Sequence, residues 1–358
     1  MKAKEVVNFV KNHPEINVVA FGYTPWHLLG AKAYIYGLSI NTTALFVMFK
    51  HPDTGFALSE TDVLDDNFKY VIKADDDFYF NDGYKERLKY FVRDLFSKNS
   101  QIYLVKPATP AFRFGAILYN TCGKPITFVV TDEGAAVYMK TNVPKNNFFS
   151  IPLNFIKKLM NVTHNVDFNF LLQKNKDNKL VVNDKIAKNY LQVLHSNYQQ
   201  TESIIFEKKS VIICTTAWKR DEIVNDNDYC VVKNVINIFL QNGFAIYLKP
   251  HPRDVFFKKI ILKDHKDVVL CDEHQPIEVI FIQKNLPTYI VSFSSTALIN
   301  AKIFSNITPI CLTNLLDRKS ISDYYLKEID CFVKTFGDLI YYPNSIEDIE
   351  NLLEKQYQ

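Results

Sequence analysis

Along this chain, short apolar runs rich in β-branched residues alternate with longer stretches in which the apolar residues have helical spacing. Five such runs occupy residues 17–22, 43–49, 69–74, 101–106 and 126–132. Five more follow at 210–217, 244–250, 267–272, 287–294 and 308–313. This alternation is typical of βαβ units, whose strands form parallel sheets. It constrains the fold more than any other feature and predicts an α/β protein.

The repetition of the five-strand pattern predicts two Rossmann-like domains with parallel sheets that face a central cleft. A length of 358 residues is sufficient for two domains with separate cores. We expect an N-terminal domain at 1–205 and a C-terminal domain at 206–358, with the last helix packing back on the N-terminal domain. Ser345 is the expected N-cap of that helix. Helices are predicted at 25–38, 83–98 and 345–356, and residues 143–205 are predicted to be mostly helical.

Composition and charge exclude several classes of protein. A hydrophobic share of 47% with 23% charged residues is typical of a globular chain. The net charge of +3 is too small, and the cations are too evenly spread, to indicate nucleic-acid binding. The six cysteines lack metal-ligand spacing and lie mostly in apolar runs, which predicts reduced thiols. Since the chain has neither a signal-peptide core nor an apolar run of about 18 residues, we expect a cytoplasmic protein.

Polar residues beyond those that a turn requires follow four of the predicted strands. In doubly wound sheets, ligands bind outside the carboxyl ends of the strands, so these residues are candidates for a site. They are Asp132 and Glu133 in the first domain, and Thr215, Thr216, Lys249, His251, Ser294, Ser295 and Thr296 in the second.

Each of these motifs has a structural and a functional interpretation. The run 294–296 leads directly into a helix, so its hydroxyls can be a simple N-cap or can join the helix N-terminus in binding a phosphate. His251 lies between two prolines and close to Lys249, where a rigid cationic loop would bind and protonate an anionic leaving group. Asp132 and Glu133 precede a glycine, either in an exposed turn or in a carboxylate site with room for a substrate.

The segment 69–82 supports a competing hypothesis. Its apolar strand ends in Asp75-Asp76-Asp77, which resembles the DxD loop of manganese-dependent sugar transferases. In those enzymes two carboxylates hold a divalent ion on a nucleotide diphosphate, so Asp75 and Asp77 would be metal ligands here. The alternative is an acidic, solvated turn, and no further motif of that family follows downstream.

Taken together, the motifs at 132–134, 249–252 and 294–296 resemble those of the bacterial two-domain sialyltransferases. The family motifs are an acidic pair followed by glycine, a His-Pro pair, and Ser-Ser or Ser-Thr. The segment GYTPWHLLGAKAYI at 22–35 is also similar to the Thr-Pro loop of the lipooligosaccharide sialyltransferases (glycosyltransferase family 52) and the capsule polysialyltransferases. The resemblance covers the whole chain in architecture and these short motifs in detail.

The resemblance implies a GT-B glycosyltransferase that uses CMP-sialic acid and needs no metal or other cofactor. Asp132 matches the general base, and Glu133 is a second candidate because this chain has Asp-Glu-Gly in place of the more usual Asp-Asp-Gly. His251 matches the acid that meets the departing phosphate. The remaining matches are Lys249, Glu278, Ser294, Ser295, Thr296, Thr215 and Thr216 for the donor, and Trp26 and His27 on the acceptor side.

The chemistry agrees with a metal-free reaction. CMP carries one phosphate, so side-chain and helix-end donors can replace the metal that nucleotide diphosphates recruit. Attack by a base-activated hydroxyl on the opposite face would invert the anomeric centre. The base must be ionised while the acid is protonated, and a carboxylate together with a histidine beside an anionic phosphate meets both conditions.

Other functions stay open at this point. The same Lys-Pro-His-Pro and Ser-Ser motifs resemble the CMP-Kdo transferases of capsule synthesis and the teichoic-acid polyol-phosphate polymerases. Those polymerases use a second histidine, for which this chain offers His27, His51 or His164. A two-domain nucleotide-sugar binding protein without catalysis is a further alternative.

The expected partners are a CMP-sugar donor and a glycan or glycolipid acceptor of bacterial lipopolysaccharide or capsule synthesis, and nucleic acid is not expected. Peripheral contact with the inner face of the membrane and a homodimer are both compatible with the sequence.

Overall fold

A computed structural model describes residues 3–38, 40–50, 56–74, 102–107, 126–139, 166–177, 179–198, 204–216, 226–254, 256–272 and 275–355. The chain divides into two compact units. The first comprises 1–133, 140–173 and 183–193, and the second comprises 134–139, 174–182 and 194–358. One of the boundaries between the units therefore falls between Glu133 and Gly134, inside the Asp-Glu-Gly motif.

The strands of both units have the following bounds. They are β1 Val18–Gly22, β2 Ala44–Met48, β3 Phe68–Lys73, β4 Ile102–Pro107, β5 Ile126–Thr131, β6 Val166–Asn169, β7 Leu172–Lys174, β8 Leu180–Val182, β9 Ser210–Cys214, β10 Ala245–Lys249, β11 Val269–Leu270, β12 Tyr289–Ser292 and β13 Thr308–Cys311.

The helices are α1 Ala3–Asn12, α2 Pro25–Tyr36, α3 Glu60–Val63, α4 Ala135–Met139, α5 Asp184–Tyr198, α6 Asp226–Gln241, α7 Phe257–Asp264, α8 Thr296–Phe304, α9 Asp323–Phe336 and α10 Ile346–Lys355. Short 3₁₀ helices lie at Ile277–Ile282, Leu312–Leu315 and Arg318–Ser320.

The sheet of the first unit has the order β3-β2-β1-β4-β5-β6, and every pairing in it is parallel. Its first five strands lie where the sequence predicts them. Within the segment 143–205, which the sequence predicts to be mostly helical, helix α5 agrees with the prediction, β6 and the two-stranded sheet β7-β8 do not, and residues 143–165 lie outside the described residues. Edge strand β6 has only four residues, and its Phe168 is 63% exposed. A strand this short, with an outward apolar side chain, lacks the buried alternation by which strands are recognised.

Both faces of this first sheet are covered, as expected of a parallel sheet. Alternate residues of β1 point to opposite faces: Val19 and Phe21 pack on the side of α1, and Val18 and Ala20 on the side of α2. Helix α2 begins at Pro25 because Thr24 caps it, with Thr24 Oγ1 accepting the His27 N–H at 3.3 Å. The turn after β1 is thereby fixed at the carboxyl edge of the sheet.

The sheet of the second unit has the order β11-β10-β9-β12-β13, again with parallel pairings throughout. All five of its strands occur at the predicted places. In both units the strand order reverses beside the first strand of the pattern, between β1 and β4 and between β9 and β12. Ligands of such sheets bind at this switch point. The residues that follow β9 and β12 are therefore the first to consider.

Helix α10 packs against α6, and its Ile349 and Leu353 belong to the core of the second unit. Helix α10 thus buries an apolar stripe within its own unit, and the expectation that it also packs back on the first domain stays a prediction. Ser345 forms the expected cap: its Oγ accepts the Asp348 N–H at 3.3 Å, and the Asp348 carboxylate accepts the Ser345 N–H at 3.1 Å.

Two further features concern the described residues alone. Their cysteines, at 214, 230, 271, 311 and 331, are free thiols, and Cys122 lies outside these residues. No helix among them has the length and apolar character that crossing a bilayer requires.

Candidate active site

The first residues after β9 hold the loop that follows β10. Thr215 and Thr216 are both buried. The Thr215 N–H donates to the Lys249 carbonyl at 3.2 Å, and Thr215 Oγ1 accepts the His251 N–H at 2.9 Å. Thr215, predicted as a donor-binding residue, therefore fixes the backbone of the His-Pro loop at two points.

The ring of His251 has a defined tautomer. Its Nδ1 atom accepts the Arg253 backbone N–H at 3.1 Å. Because a backbone N–H can only donate, Nδ1 carries no proton and the ring proton of the neutral imidazole lies on Nε2. The loop is closed by the Asp254 N–H, which donates to the His251 carbonyl at 2.8 Å. The half-buried imidazole can thus offer a donor at Nε2 from a rigid turn.

Lys249 ends strand β10 and is buried beside the loop. Its Nζ donates to the Asp272 carbonyl at 2.6 Å. Burial lowers the pKa of the Lys249 ammonium, while nearby Cys214, Cys271 and the carboxylates of Asp272 and Glu278 raise it. The strand end therefore presents a cation whose charge is partly desolvated.

Glu278 lies on the 3₁₀ helix Ile277–Ile282 and is only 8% exposed. Its Oε1 accepts the Asn300 Nδ2–H at 2.8 Å. Burial raises the pKa of the Glu278 carboxyl, against the opposing effects of a hydrogen bond from its own backbone N–H, of the Asn300 hydrogen bond and of the charge of Lys249. The family resemblance suggested Glu278 as a ribose-binding group, and in the structure it is a buried carboxylate linked to helix α8.

The Ser-Ser-Thr motif forms the start of α8, which follows β12. Ser295 is the N-cap, and its Oγ accepts the Ala297 N–H at 3.3 Å. Thr296 Oγ1 accepts the Ala135 N–H at 3.1 Å. Ser294, half-buried, precedes the cap. The capping interpretation of Ser295 is thus correct, and it leaves the helix N-terminus with the positive end of its dipole beside the switch point.

Gly134, the last residue of the Asp-Glu-Gly motif, lies against Thr296 within the second unit. Its φ is +93°, and a Cβ built on it would be 2.5 Å from Thr296 Oγ1 and 2.9 Å from Thr296 Cγ2. Any side chain at this position would meet both a strained backbone and a steric clash. Helix α4, which follows, is held at its other end by Cys331, whose Sγ donates to the Met139 carbonyl at 3.3 Å.

In the first unit, Asp132 directly follows β5 and is 1% exposed. Its Oδ2 accepts the Leu171 backbone N–H at 3.3 Å. Burial raises the pKa of the Tyr190 phenol well above its usual value, and the negative charge of Asp132 adds to that effect. Glu133, the second candidate base, is half-buried.

Trp26 and His27 lie at the start of α2 in the same unit. The Trp26 ring centroid is 5.4 Å from that of Tyr190, which places Trp26 beside a neighbour of Asp132. His27 is 3% exposed, and its Nδ1 accepts the Tyr23 N–H at 3.3 Å while its ring packs edge-on against Tyr23. These contacts favour a structural role for His27 in the turn after β1.

Comparison with known proteins shows the family to which this chain belongs. Residues 19–314 match the model of the family described as alpha-2,8-polysialyltransferase (POLYST), and these residues include all the motifs above. The chain belongs to the alpha-2,8-polysialyltransferase family. It is therefore a glycosyltransferase of the sialyltransferase kind, which confirms the resemblance found in the sequence.

Solved structures agree on the fold of this polysialyltransferase-family chain. A 2,6-sialyltransferase from Photobacterium sp. JT-ISH-224, solved with CMP and lactose, has a TM-score of 0.54 at 10% identity, covering 91% of this chain and 78% of that chain. A sialyltransferase from Photobacterium damsela has a TM-score of 0.50 at 13% identity, covering 91% of this chain and 81% of that chain. No curated protein matches the chain. The predicted GT-B fold with two Rossmann-like domains is confirmed.

Three groups that contact the predicted site residues of this polysialyltransferase-family protein were not predicted from the sequence: Asn300, Tyr190 and the backbone N–H of Leu171. Asn300 is the one uncharged polar residue inside the apolar helix α8, which could have indicated a buried polar partner. Tyr190 follows the apolar spacing of α5, which indicates burial but not the neighbouring carboxylate. The donor at Leu171 could not be predicted, because every residue except proline has a backbone N–H whatever its side chain.

The competing metal hypothesis rests on Asp75 and Asp77, which lie outside the described residues. The predicted helix 83–98 and the residues His51 and His164 do so as well. Among the residues that are described, no three His, Cys, Asp or Glu side chains are grouped so as to hold a metal ion.

Proposed function

We propose that this protein transfers sialic acid from CMP-sialic acid to a hydroxyl of a glycan acceptor of lipooligosaccharide or capsule type, with inversion and without a metal ion. The family match over 19–314 carries this proposal, because it spans both the Asp-Glu-Gly motif and the His-Pro and Ser-Ser-Thr motifs. The 2,6-sialyltransferase of similar fold was solved with CMP and lactose, a nucleotide and a glycan of the proposed classes. We further propose that the enzyme acts on the cytoplasmic side of the bacterial inner membrane.

The donor side of the proposal assigns the leaving group to the second unit. The N-terminus of α8 supplies backbone N–H groups and a positive dipole end for the CMP phosphate. His251 donates its Nε2–H to the phosphate oxygen that leaves, since Nδ1 is occupied as an acceptor. Lys249 adds positive charge, and Glu278 accepts hydrogen bonds from the ribose hydroxyls.

The acceptor side assigns the base to Asp132. The acceptor oxygen forms a bond to the anomeric carbon C2 of sialic acid while the bond from C2 to the phosphate oxygen breaks. The hydroxyl proton passes to Asp132, and CMP leaves as the phosphate dianion, whose oxygen accepts a hydrogen bond from the Nε2–H of His251. The Leu171 N–H donates to Asp132 Oδ2 at 3.3 Å, and this hydrogen bond holds the carboxyl in one orientation. Because attack and departure occur on opposite faces, the configuration at C2 inverts.

The independence from metal follows from the leaving group. A single phosphate monoester develops less charge than a diphosphate. A helix N-terminus, a lysine and a histidine can stabilise that charge by preorganised donors. The metal-dependent alternative needs the carboxylates of Asp75 and Asp77 instead.

The experiment is CMP release from CMP-sialic acid in the presence of EDTA, with a lactose-terminated acceptor, for wild type, His251→Ala and Asp132→Ala. We expect release by wild type and its loss in both variants, by about 10²- to 10⁴-fold, as is typical of a general base and of a preorganised hydrogen-bond donor to the leaving group. CMP-Kdo, CDP-glycerol and UDP-galactose are offered in parallel. Preferential turnover of CMP-Kdo or CDP-glycerol would show that this compound, and not CMP-sialic acid, is the donor. Turnover of UDP-galactose that needs manganese would contradict the mechanism.

A further inference from the structure

Asn300 is a buried amide in a mostly apolar helix. It is 1% exposed, and its neighbours in the TALINAKIF sequence of α8 are mostly apolar. Burying an amide without a partner costs free energy, and Asn300 avoids that cost by donating from Nδ2 to Glu278 Oε1 at 2.8 Å. The two residues are 22 positions apart in the chain, so the contact joins two separate elements, α8 and the 3₁₀ helix Ile277–Ile282.

Stability alone does not account for this pair. Glu278 is an ionisable group at 8% exposure, and an apolar pair of the same size would be equally stable or more stable. A carboxylate has about four acceptor positions on its two oxygens, of which the Asn300 amide occupies one and the backbone N–H of Glu278 another. The remaining positions suit a ligand with O–H donors, and a ribose carries two of these on adjacent carbons.

The helix that holds Asn300 also carries the phosphate candidates at its N-terminus. Thr296 and Asn300 are four residues apart, which corresponds to about 6 Å along the axis of an α-helix. The 5′-phosphate and the 2′- and 3′-hydroxyls of a nucleotide lie on opposite sides of its ribose, at a comparable separation. One helix therefore places the candidate phosphate-binding residues and Asn300, the partner of Glu278, at a separation that matches the phosphate and the ribose hydroxyls of one nucleotide.

We infer that Asn300 is a positioning residue, which holds the Glu278 carboxylate toward the ribose hydroxyls of a cytidine nucleotide and so sets the preference for a ribonucleotide donor. This inference rests on the proposed function, because it requires Glu278 to contact the donor. Asn300 itself does not touch the nucleotide in this scheme. Its effect reaches the ligand only through Glu278.

The test compares Asn300→Leu with Asn242→Leu. Asn242 is a half-buried residue of the same unit, whose Nδ2 donates to the Ile238 carbonyl at 2.9 Å, away from the proposed site. Calorimetry would measure the dissociation constants of CMP and of 2′,3′-dideoxy-CMP. For Asn300→Leu we expect CMP to bind about tenfold more weakly, with dideoxy-CMP little changed, so that the preference for the ribonucleotide falls. Asn242→Leu should keep the wild-type preference.

A structural role would have a different result. If Asn300 only supports packing, Asn300→Leu weakens both nucleotides by the same factor, and the inference is overturned. Circular dichroism and thermal melting check that the variant is folded. Should Asn300→Leu not fold, Asn300→Asp keeps the shape and replaces the amide with a second carboxyl. Its CMP affinity should recover as the pH falls, because one shared proton restores the donor. A pH-independent affinity would contradict the inference.

A double-mutant cycle with Glu278→Gln separates direct from indirect effects. If Asn300 acts through Glu278, adding Asn300→Leu to Glu278→Gln should change CMP binding by less than about twofold. Fully additive losses would overturn the inference. Absence of CMP binding or of CMP release in the wild type would instead contradict the proposed function, so the two failures are distinguishable.

Discussion

The Thr296 side chain fills the space that a Cβ on Gly134 would need, with Thr296 Oγ1 only 2.5 Å from that position. Both residues belong to the second unit, and each is part of a different sequence motif. The contact joins the residue after the acidic pair to the first turn of the helix assigned to the donor phosphate. The close contact with Thr296 therefore explains why the third residue of the Asp-Glu-Gly motif is a glycine in this chain.

Replacing Gly134 by alanine should lower the free energy of unfolding by about 2–4 kcal/mol. The backbone strain at φ +93° and the clash with Thr296 both contribute. Gly243→Ala is the matched control, because Gly243 has φ +73° but nothing within 4 Å of the position that a Cβ would take. Urea unfolding of both variants would isolate the clash as their difference. If both variants lost the same free energy of unfolding, the Thr296 side chain would have moved aside without a free-energy cost, and the prediction would be wrong.

Thr215 should matter to catalysis through the backbone of His251. Thr215→Val keeps the shape but removes the acceptor of the His251 N–H, which is 2.9 Å from Oγ1. Leaving that N–H without an acceptor should loosen the loop and lower kcat by about ten- to a hundredfold, with a smaller effect on the KM for the donor. Thr215→Ser retains the hydroxyl and should keep most of the activity. Steady-state kinetics would contradict the prediction if the serine variant lost as much as the valine variant.

The strands were predictable from the sequence because a buried parallel strand is a continuous apolar run, and β9 and β10 are such runs. The motifs at their ends were predictable for a related reason, since polar residues directly after a buried run have few structural explanations. Non-local partners were not predictable. Nothing near Asn300 in the sequence indicates Glu278, and the apolar stripe of α10 does not indicate which unit it covers.

Ser295 illustrates in physical terms why the rest of the site could not be predicted from the sequence. An N-cap hydroxyl and a phosphate-binding hydroxyl need the same residue type at the same place, because both exploit the unpaired N–H groups of a helix N-terminus. The structure shows the cap, with Ser295 Oγ accepting the Ala297 N–H. A bound phosphate would use the same end of the helix.

Glu278→Gln should stabilise the protein at neutral pH while weakening donor binding. Burial raises the folded-state pKa of Glu278 above its ordinary value of 4.5, so the folded state holds this proton more tightly than the unfolded state. Stability is then lost as the pH rises from the unfolded-state pKa through the folded-state pKa. Glutamine has no such cost and still accepts from Asn300. The gain is the free energy that the wild type spends on keeping this buried carboxyl ionised at neutral pH.

Thermal unfolding of wild type and Glu278→Gln from about pH 8 to about pH 5 would check this. The advantage of the variant should shrink as the pH falls, because the wild-type carboxyl becomes protonated. A constant difference across this range would show that the charge of Glu278 is not what costs stability.

Asp132 and Glu133 can be distinguished by isosteric amides. Asp132→Asn keeps an oxygen for the Leu171 N–H, at 3.3 Å in the wild type, yet cannot take a proton from the acceptor hydroxyl. It should therefore lower kcat by about 10²- to 10⁴-fold, with CMP binding retained. Glu133→Gln is the matched control and should stay within about tenfold of wild type. Rates of sialic acid transfer at saturating donor would decide between them, and the reverse order of effects would assign the base to Glu133.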